Sequence, residues 1–342
     1  MEKRCIYDLK KDELASWLQA NGEASYRLEQ IRGWLKEGIR SADEMTNISK
    51  KLRNKLAASF RFEALKLKDK QESALDETVK YVWELSDGNI IESVFMKYKA
   101  GTSVCVSSQA GCRMGCRFCA SARAGFGRNL TAGEMLAQIA YIGRERNQRI
   151  DHAVVMGIGE PLENYDALLH FLRLCNAPDF FNISFRKLSV STCGLIPQML
   201  KFAEEHLPVT LAVSLHAPEN RLRSRLMPVN KKYPLEDLLE ACDYYVQKTG
   251  RRITFEYAMF AGINDSRDCA DKLASLLEGR LCHVNLIPAN DVPGSALRRS
   301  SRDTIEKFAD ILKARHIPVS IRRELGADIT AACGQLRRKN SR

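Results

Sequence analysis

The sequence reads as an α/β protein: a partial, open parallel barrel of about six β/α units, preceded by a small helical module and a linking β-hairpin. Three observations carry this. From residue 102 onward, β-branched runs alternate with stretches of helical period, the pattern of βαβ units. The units are too few for a closed eight-fold barrel, and a doubly wound sheet is the alternative that spacing alone separates only weakly. Third, the polar residues able to do chemistry sit where strands end, and parallel α/β folds build their active sites there.

Residues 1–62 are expected to form a compact, basic helical domain. Leu14, Trp17 and Leu18 share one helical face, and Leu28, Ile31, Trp34 and Leu35 share another. Thr46 is expected to cap the helix through "NISKKLRNKLAASF". Residues 63–101 follow as a hairpin region, because "TVKYVWELSDGNIIESVFM" offers two strand-like runs around the turn signal Asp87-Gly88. Residues 102–342 form the body. Its expected strands are "TSVCVS", "HAVVMGIG", "KLSVST", "VTLAVSL", "ITFEYAMF", "CHVNLIP" and "IPVSI". Helix-like stretches between them include "TAGEMLAQIAYIGRER", "YDALLHFLRLC", "LEDLLEACDYYVQ" and "TIEKFADILKAR". The strand-end residues are Gly159-Glu160, Ser191-Thr192, Ser214 with His216, and Asn290.

Composition narrows the class. With 45% hydrophobic residues in 342, the chain can bury a sizeable core. No run of about eighteen apolar residues implies a membrane span. The start lacks the apolar region of an export signal, so a cytoplasmic protein is expected. Eleven cysteines without such a signal argue against a disulfide framework and favour metal or redox chemistry. A net charge of +11 points to an anionic partner, with basic residues gathered in "RNKLAASFRF", "RLRSRLMPVNKK", "SALRRSSR" and "LRRKNSR". Solvated basic faces explain the same charge equally well.

The sharpest motif is "GCRMGCRFC", which sets Cys112, Cys116 and Cys119 in a C-x3-C-x2-C pattern, with Cys105 seven residues ahead of the first. Zinc would want a fourth Cys or His nearby, and the next His is His152. A cluster held only by cysteines would likewise need a fourth thiolate. Three ligands fit a [4Fe–4S] cluster with one iron left open, the bland alternatives being an incomplete zinc site or a loop of free thiols. Phe118 suits such a site as an apolar shield.

With an aromatic residue before its last cysteine, the motif resembles that of the radical S-adenosylmethionine superfamily. The blocks "CVSSQAGC", "GIGEPLENYD", "VSTCGLIP", "AVSLHAP", "RSRLMPVNKKYPL", "VNLIPAN" and "DITAACGQL" are similar to the RlmN/Cfr class of RNA adenine methyltransferases. The N-terminal "YRLEQIRGWL" and "EMTNISKKLRNKL" resemble the accessory helical domain of its RlmN branch. The resemblance spans nearly the whole chain. It implies a partial (β/α)6 radical SAM barrel, an RNA-binding N-terminal domain, and a [4Fe–4S] cluster on Cys112, Cys116 and Cys119 whose open iron chelates S-adenosylmethionine. The implied activity is methylation of C2 of adenine in 23S rRNA and tRNA. A Cfr-like C8 methylation and a non-catalytic RNA-binding protein with structural zinc are the rivals.

The resemblance also implies roles. Cys333 would carry the methyl group and Cys105 would resolve the intermediate through a transient disulfide, although Cys333 alone would read as a buried structural thiol. Glu92 would accept the C2 proton; without the resemblance it reads as a glutamate facing outward on an edge strand. Gly159 and Glu160 would bind the amino group of S-adenosylmethionine, with Ser191, Ser214, Leu215, His216 and Asn290 contacting its ribose, adenine and carboxylate. Cys193 stands where serine is commoner, and Asp291 where proline often follows the asparagine. Cys5, Cys175, Cys193, Cys242, Cys269 and Cys282 are expected to fill the core. Arg113, Arg117, Arg123, Arg128, Arg298, Arg299, Arg302, Arg322 and Arg323 are candidates to clamp RNA around a splayed base. An electron donor such as flavodoxin or ferredoxin, no membrane, and a monomeric state complete the expectations.

Overall fold

The structure, a computed structural model, describes residues 3–123, 125–290, 296–329 and 335–336. Cys333 and Asp291 lie outside the described residues. Helices α1 (Lys11–Ala20), α2 (Arg27–Lys36) and α3 (Lys50–Ser59) form the N-terminal module. Leu14, Leu18, Leu28, Ile31 and Leu35 turn inward as their spacing requires, with Trp17 and Trp34 packed at the margin. The cap of α3 is Ser49, not Thr46: Ser49 Oγ accepts the Leu52 amide at 3.3 Å, while Thr46 is exposed a turn too early. A cap must reach the second or third helical amide, and Thr46 precedes those by six residues or so.

A single ten-stranded sheet forms the body. Strands β1 (Lys66–Glu72), β2 (Val79–Glu84), β3 (Ile90–Tyr98) and β4 (Gly101–Cys105) pair antiparallel in sequence order. β5 (Gln109–Gly111) and β6 (Phe126–Asn129) pair as a separate small hairpin that brackets the cysteine loop and the short α4 (Ala120–Arg123). The chain then runs through α5 (Ala132–Arg146), β7 (His152–Val155), α6 (Tyr165–Asn176), β8 (Leu188–Thr192) and α7 (Ile196–Ala203). It continues with β9 (Thr210–Ser214), α8 (Asn220–Leu226), α9 (Leu235–Thr249), β10 (Ile253–Met259) and α10 (Arg267–Leu277), and ends with β11 (Cys282–Pro288), α11 (Arg302–Ala314) and β12 (Val319–Ile321).

From β4 through β7, β8, β9, β10 and β11 to β12 every pairing is parallel. Each of the first six of these strands is followed by a helix, so the open six-unit barrel is the observed architecture. The expected turn at Asp87-Gly88 joins β2 and β3, but the sheet also gains β1. The β1 sequence "KLKDKQE" is almost wholly exposed and carries no apolar alternation, so only its ladder to β2 makes it a strand. The sheet curls. β3 and β11 are six steps apart, roughly 29 Å if flat. Yet Val94 and Met96 of β3 line the same cavity as Ile287 and Pro288 of β11.

The N-terminal module docks on the barrel's outer helices. Asp8 Oδ1 accepts the first-turn Gly133 amide of α5 at 2.7 Å, and the Tyr141 hydroxyl donates to Phe62 O at 3.3 Å. Its apolar residues belong to one contiguous core with those of the barrel.

Candidate active site

At the C-terminal ends of the parallel strands lies a cavity open to solvent. Cys112, Cys116 and Cys119 line it together with Gly159, Glu160, Ser191, Ser214, His216 and Asn290. Three thiols from one loop thus face the strand-end residues of β7, β8, β9 and β11. Leu215 is placed differently: its side chain is fully buried in the core, and its backbone is held by Glu256 O and the Arg223 guanidinium.

Local physics explains the Gly-Ile-Gly-Glu segment after β7. At Gly159, φ is +114°, and a Cβ would sit 2.6 Å from the Gln109 side chain. A Cβ on Gly157 would sit 2.7 Å from Ser107 Oγ. The backbone is therefore pressed against β5, and only glycine fits. Glu160 is 3% exposed, and its carboxylate is gripped by two amides, Leu162 at 3.1 Å and Cys193 at 2.7 Å. Burial raises its pKa against those hydrogen bonds. An ammonium arriving in the cavity would meet a carboxyl group already oriented and dry, and its charge would favour the ionised form.

Cys193 is buried in a satellite apolar cluster, as expected, and also forms part of this cavity's wall. Both its amide and its thiol are committed to Glu160. Cys5, Cys175, Cys242, Cys269 and Cys282 do belong to the main core. All ten described cysteines are free thiols.

Beneath the strand ends lies Arg223, which belongs to the basic run "RLRSRLMPVNKK" but is fully buried. Its guanidinium donates to Leu215 O, Ser214 O, Cys193 O and Asn230 Oδ1 at 2.8–3.2 Å, pinning the ends of β8 and β9 together. His216 adopts φ +58°, with its carbonyl accepting from Asn264 Nδ2 at 2.8 Å. Its Nδ1 accepts the Ala258 amide at 2.9 Å, so the neutral ring carries its proton on Nε2. Burial, with the Arg223 charge, pushes this imidazole down to about 3, so it stays neutral. The ring also meets Phe118 edge-on at 4.7 Å, which seats the expected shield against the strand ends.

Glu256 of β10 was not singled out by any motif, yet it lines the cavity and is 5% exposed. Its Oε1 accepts from Asn285 at 3.0 Å, while Oε2 has no hydrogen-bond partner among the described residues and lies 3.8 Å from Arg322 Nη1. Burial raises its pKa. Period-2 alternation on β10 hides it, because every residue of that strand is buried.

A second chamber adjoins the first. Cys105, Val94, Met96 and Tyr98 line it, and Met156, Ile287, Asn290, Arg322 and Leu336 line both. Glu92 is 1% exposed and lies on an interior strand, not an edge, on the same face of β3 as Val94 and Met96. Lys80 Nζ stands 3.9 Å from its Oε1. Ser121 Oγ donates to Leu336 O at 2.6 Å, which ties the terminal segment to the cysteine loop.

The residues present fit an iron–sulfur cluster and a charged nucleoside cofactor. The donor set is three thiols on one loop, with Cys193 already engaged elsewhere. Burial pushes the Cys112 thiol up to about 12 and the Cys116 thiol well above its ordinary value, so ionisation needs a cationic partner. Of the candidate RNA-clamping arginines, Arg128 pairs with Asp87 at 2.5 Å and Glu134 at 2.7 Å. Arg299 pairs with Glu324 and Arg302 with Glu306. Arg113 lies 3.8 Å over the Phe126 ring and Arg117 is exposed, both beside the cysteine loop.

Residues 106–273 match the Radical SAM superfamily model, and residues 6–61 match the ribosomal RNA large subunit methyltransferase N-terminal domain. The chain is 48% identical over 338 residues to a probable dual-specificity RNA methyltransferase RlmN of Lachnoclostridium phytofermentans, covering 98% of this chain and 95% of that protein. It is 50% identical over 338 residues to one of Geobacillus kaustophilus, covering 98% and 92%. The crystal structure of a radical SAM methyltransferase from Sphaerobacter thermophilus superposes with a TM-score of 0.94 at 44% identity, over 97% of this chain and 99% of that one. With its barrel, its thiol loop and its N-terminal module all matched in order, the chain belongs to the RlmN family of radical SAM RNA methyltransferases.

Proposed function

We propose that the chain methylates C2 of a target adenine in 23S rRNA and in tRNA, using a [4Fe–4S] cluster and S-adenosylmethionine. The observation that carries this is the pair of adjoining chambers: one lined by thiols and strand ends, the other built around Cys105, with a shared wall. A cofactor and a target base placed in them would be neighbours. When bound, the cluster and S-adenosylmethionine supply the radical that an electron-poor ring carbon requires.

The chain's own residues hold and steer the rest. Cys112, Cys116 and Cys119 would hold the cluster, and Glu160 would accept the amino group of S-adenosylmethionine. Ser191, Ser214, Asn290 and the Nε2–H of His216 supply polar contacts around the nucleoside and carboxylate. The Cys333 sulfur carries the methyl group to the base, and Glu92 takes the C2 proton. Cys105, as the thiolate, then attacks the Cys333 sulfur; the bond from that sulfur to the product carbon breaks, its electron pair leaves with that carbon, which takes up a proton to become the methyl group, and a disulfide remains until cellular thiols reduce it. The target base must leave its stack to enter, which suits a mouth with the exposed Arg117 beside it. A flavodoxin or ferredoxin as electron donor, a monomeric state and a cytoplasmic location complete the proposal.

The test is anaerobic reconstitution with iron and sulfide, then labelled cofactor with ribosomal RNA or tRNA. Cys333→Ala should keep its cluster absorbance and lose methyl incorporation. Retained incorporation would overturn the role of Cys333, and mass-spectrometric mapping of the label to C8 would overturn the C2 assignment.

A further inference from the structure

We propose that Lys80 is a positioning residue for Glu92, its buried ammonium holding the carboxylate charged and in place beside the Cys105 chamber. This builds on the reading of Glu92 as the proton acceptor.

Lys80 is 4% exposed and Glu92 is 1% exposed, both within the antiparallel half of the sheet. The register sets Lys80 opposite Val94 and Val82 opposite Glu92, so the two charges are diagonal neighbours on one face. That face carries Val94 and Met96, which line the chamber, and Val94 in turn pairs with Cys105. The other face of β2 is filled by Tyr81 and Trp83, stacked on each other, with Trp83 packed on Tyr141 of α5. Lys80 therefore sits on the chamber side of the sheet.

Burial disfavours the charged form of a lysine and of a carboxylate, and an opposite charge close by favours both. A protonated Glu92 has no capacity to accept another proton. The Nζ to Oε1 separation of 3.9 Å is that of an ion pair, longer than a hydrogen bond. The ammonium thus stabilises the negative charge without transferring a proton to it. In the step served, the C–H bond at the target carbon breaks, its electron pair stays with the base, and the proton passes to Glu92. Lys80 keeps its own proton throughout.

Three variants test this in full-length, cluster-loaded protein with ribosomal RNA. Without its base, Glu92→Gln should stall with the RNA still covalently tied to the protein, a species retarded on a denaturing gel. Lys80→Met should build up the same adduct and lower kcat on the order of tenfold with KM for RNA unchanged. Lys80→Arg should restore most of the release. Combining Lys80→Met with Glu92→Gln should stall no further than Glu92→Gln alone, and the paired charge removal guards against misfolding. In cluster-free protein, infrared difference spectra against Glu92→Gln should show a carboxylate stretch, replaced by an acid carbonyl band in Lys80→Met. If Glu92→Gln released product normally, the base reading would fail and this inference with it. If Glu92→Gln stalled while Lys80→Met turned over like the parent, or if Lys80→Arg fell as far as Lys80→Met, only the role of Lys80 would be overturned.

Discussion

His216 shows how one residue's surroundings decide its chemistry. Free in an unfolded chain it titrates near 6.5, and buried beside Arg223 it titrates at about 3. Between those values the unfolded chain binds a proton that the folded chain refuses, so stability falls as pH falls, by about 1.4 kcal/mol per unit from this group. At pH 5 the loss relative to neutrality is about 2 kcal/mol. Glu160 and Glu256 act in the opposite sense, since burial raises both and their cost appears as pH rises. The informative quantity is therefore a difference between proteins. His216→Gln should be less acid-sensitive than the parent by about that amount, read from urea midpoints of cluster-free protein at pH 7 and pH 5. Equal acid sensitivity would show that the imidazole is not the neutral donor described. At this scale the sequence was informative only where a residue sits in a motif. Glu160 and His216 were found that way. Arg223 and Glu256 were not, because burial of a charge leaves no mark on spacing.

Elements were read well wherever apolar periodicity is strong and poorly where pairing alone creates order. All seven expected parallel strands are present, and all but the exposed last strand β12 bury apolar residues under the helices. The stretch from Lys66 to Met96 reads as strand-like, but β1 does not stand out as a strand of its own, because a lysine-rich edge strand has no apolar alternation and becomes one only when a neighbour supplies hydrogen bonds. The start of α3 was set three residues early, because two hydroxyl residues flank "NI" and only geometry chooses between them. Ser49→Ala should accordingly lower stability by about 1 kcal/mol, while Thr46→Ala should change it by no more than about 0.5 kcal/mol. Thermal midpoints of the two variants check this, and the reverse order would contradict the observed cap.

For the whole molecule, the helical module and the barrel share one apolar core. Asp8 on Gly133, Tyr141 on Phe62 O and the ion pair of Arg144 with Glu44 at 2.5 Å fasten them together. Removing residues 1–61 should therefore expose apolar surface on α5 and yield a protein that aggregates or melts well below the parent, by size-exclusion chromatography and thermal scans. A monomeric truncation with the parent's midpoint would show that the module is an independent appendage. By itself the sequence determined the parallel strand–helix alternation, the thiol loop and the family, because these depend on local periodicity and on residue types at fixed spacing. Only the tertiary structure decided which charges are buried, how Lys80 meets Glu92, and that β3 and β11 curl round to share a chamber. Those outcomes depend on contacts between residues far apart in the chain, where dielectric and packing are properties of the assembled neighbourhood and not of any one segment.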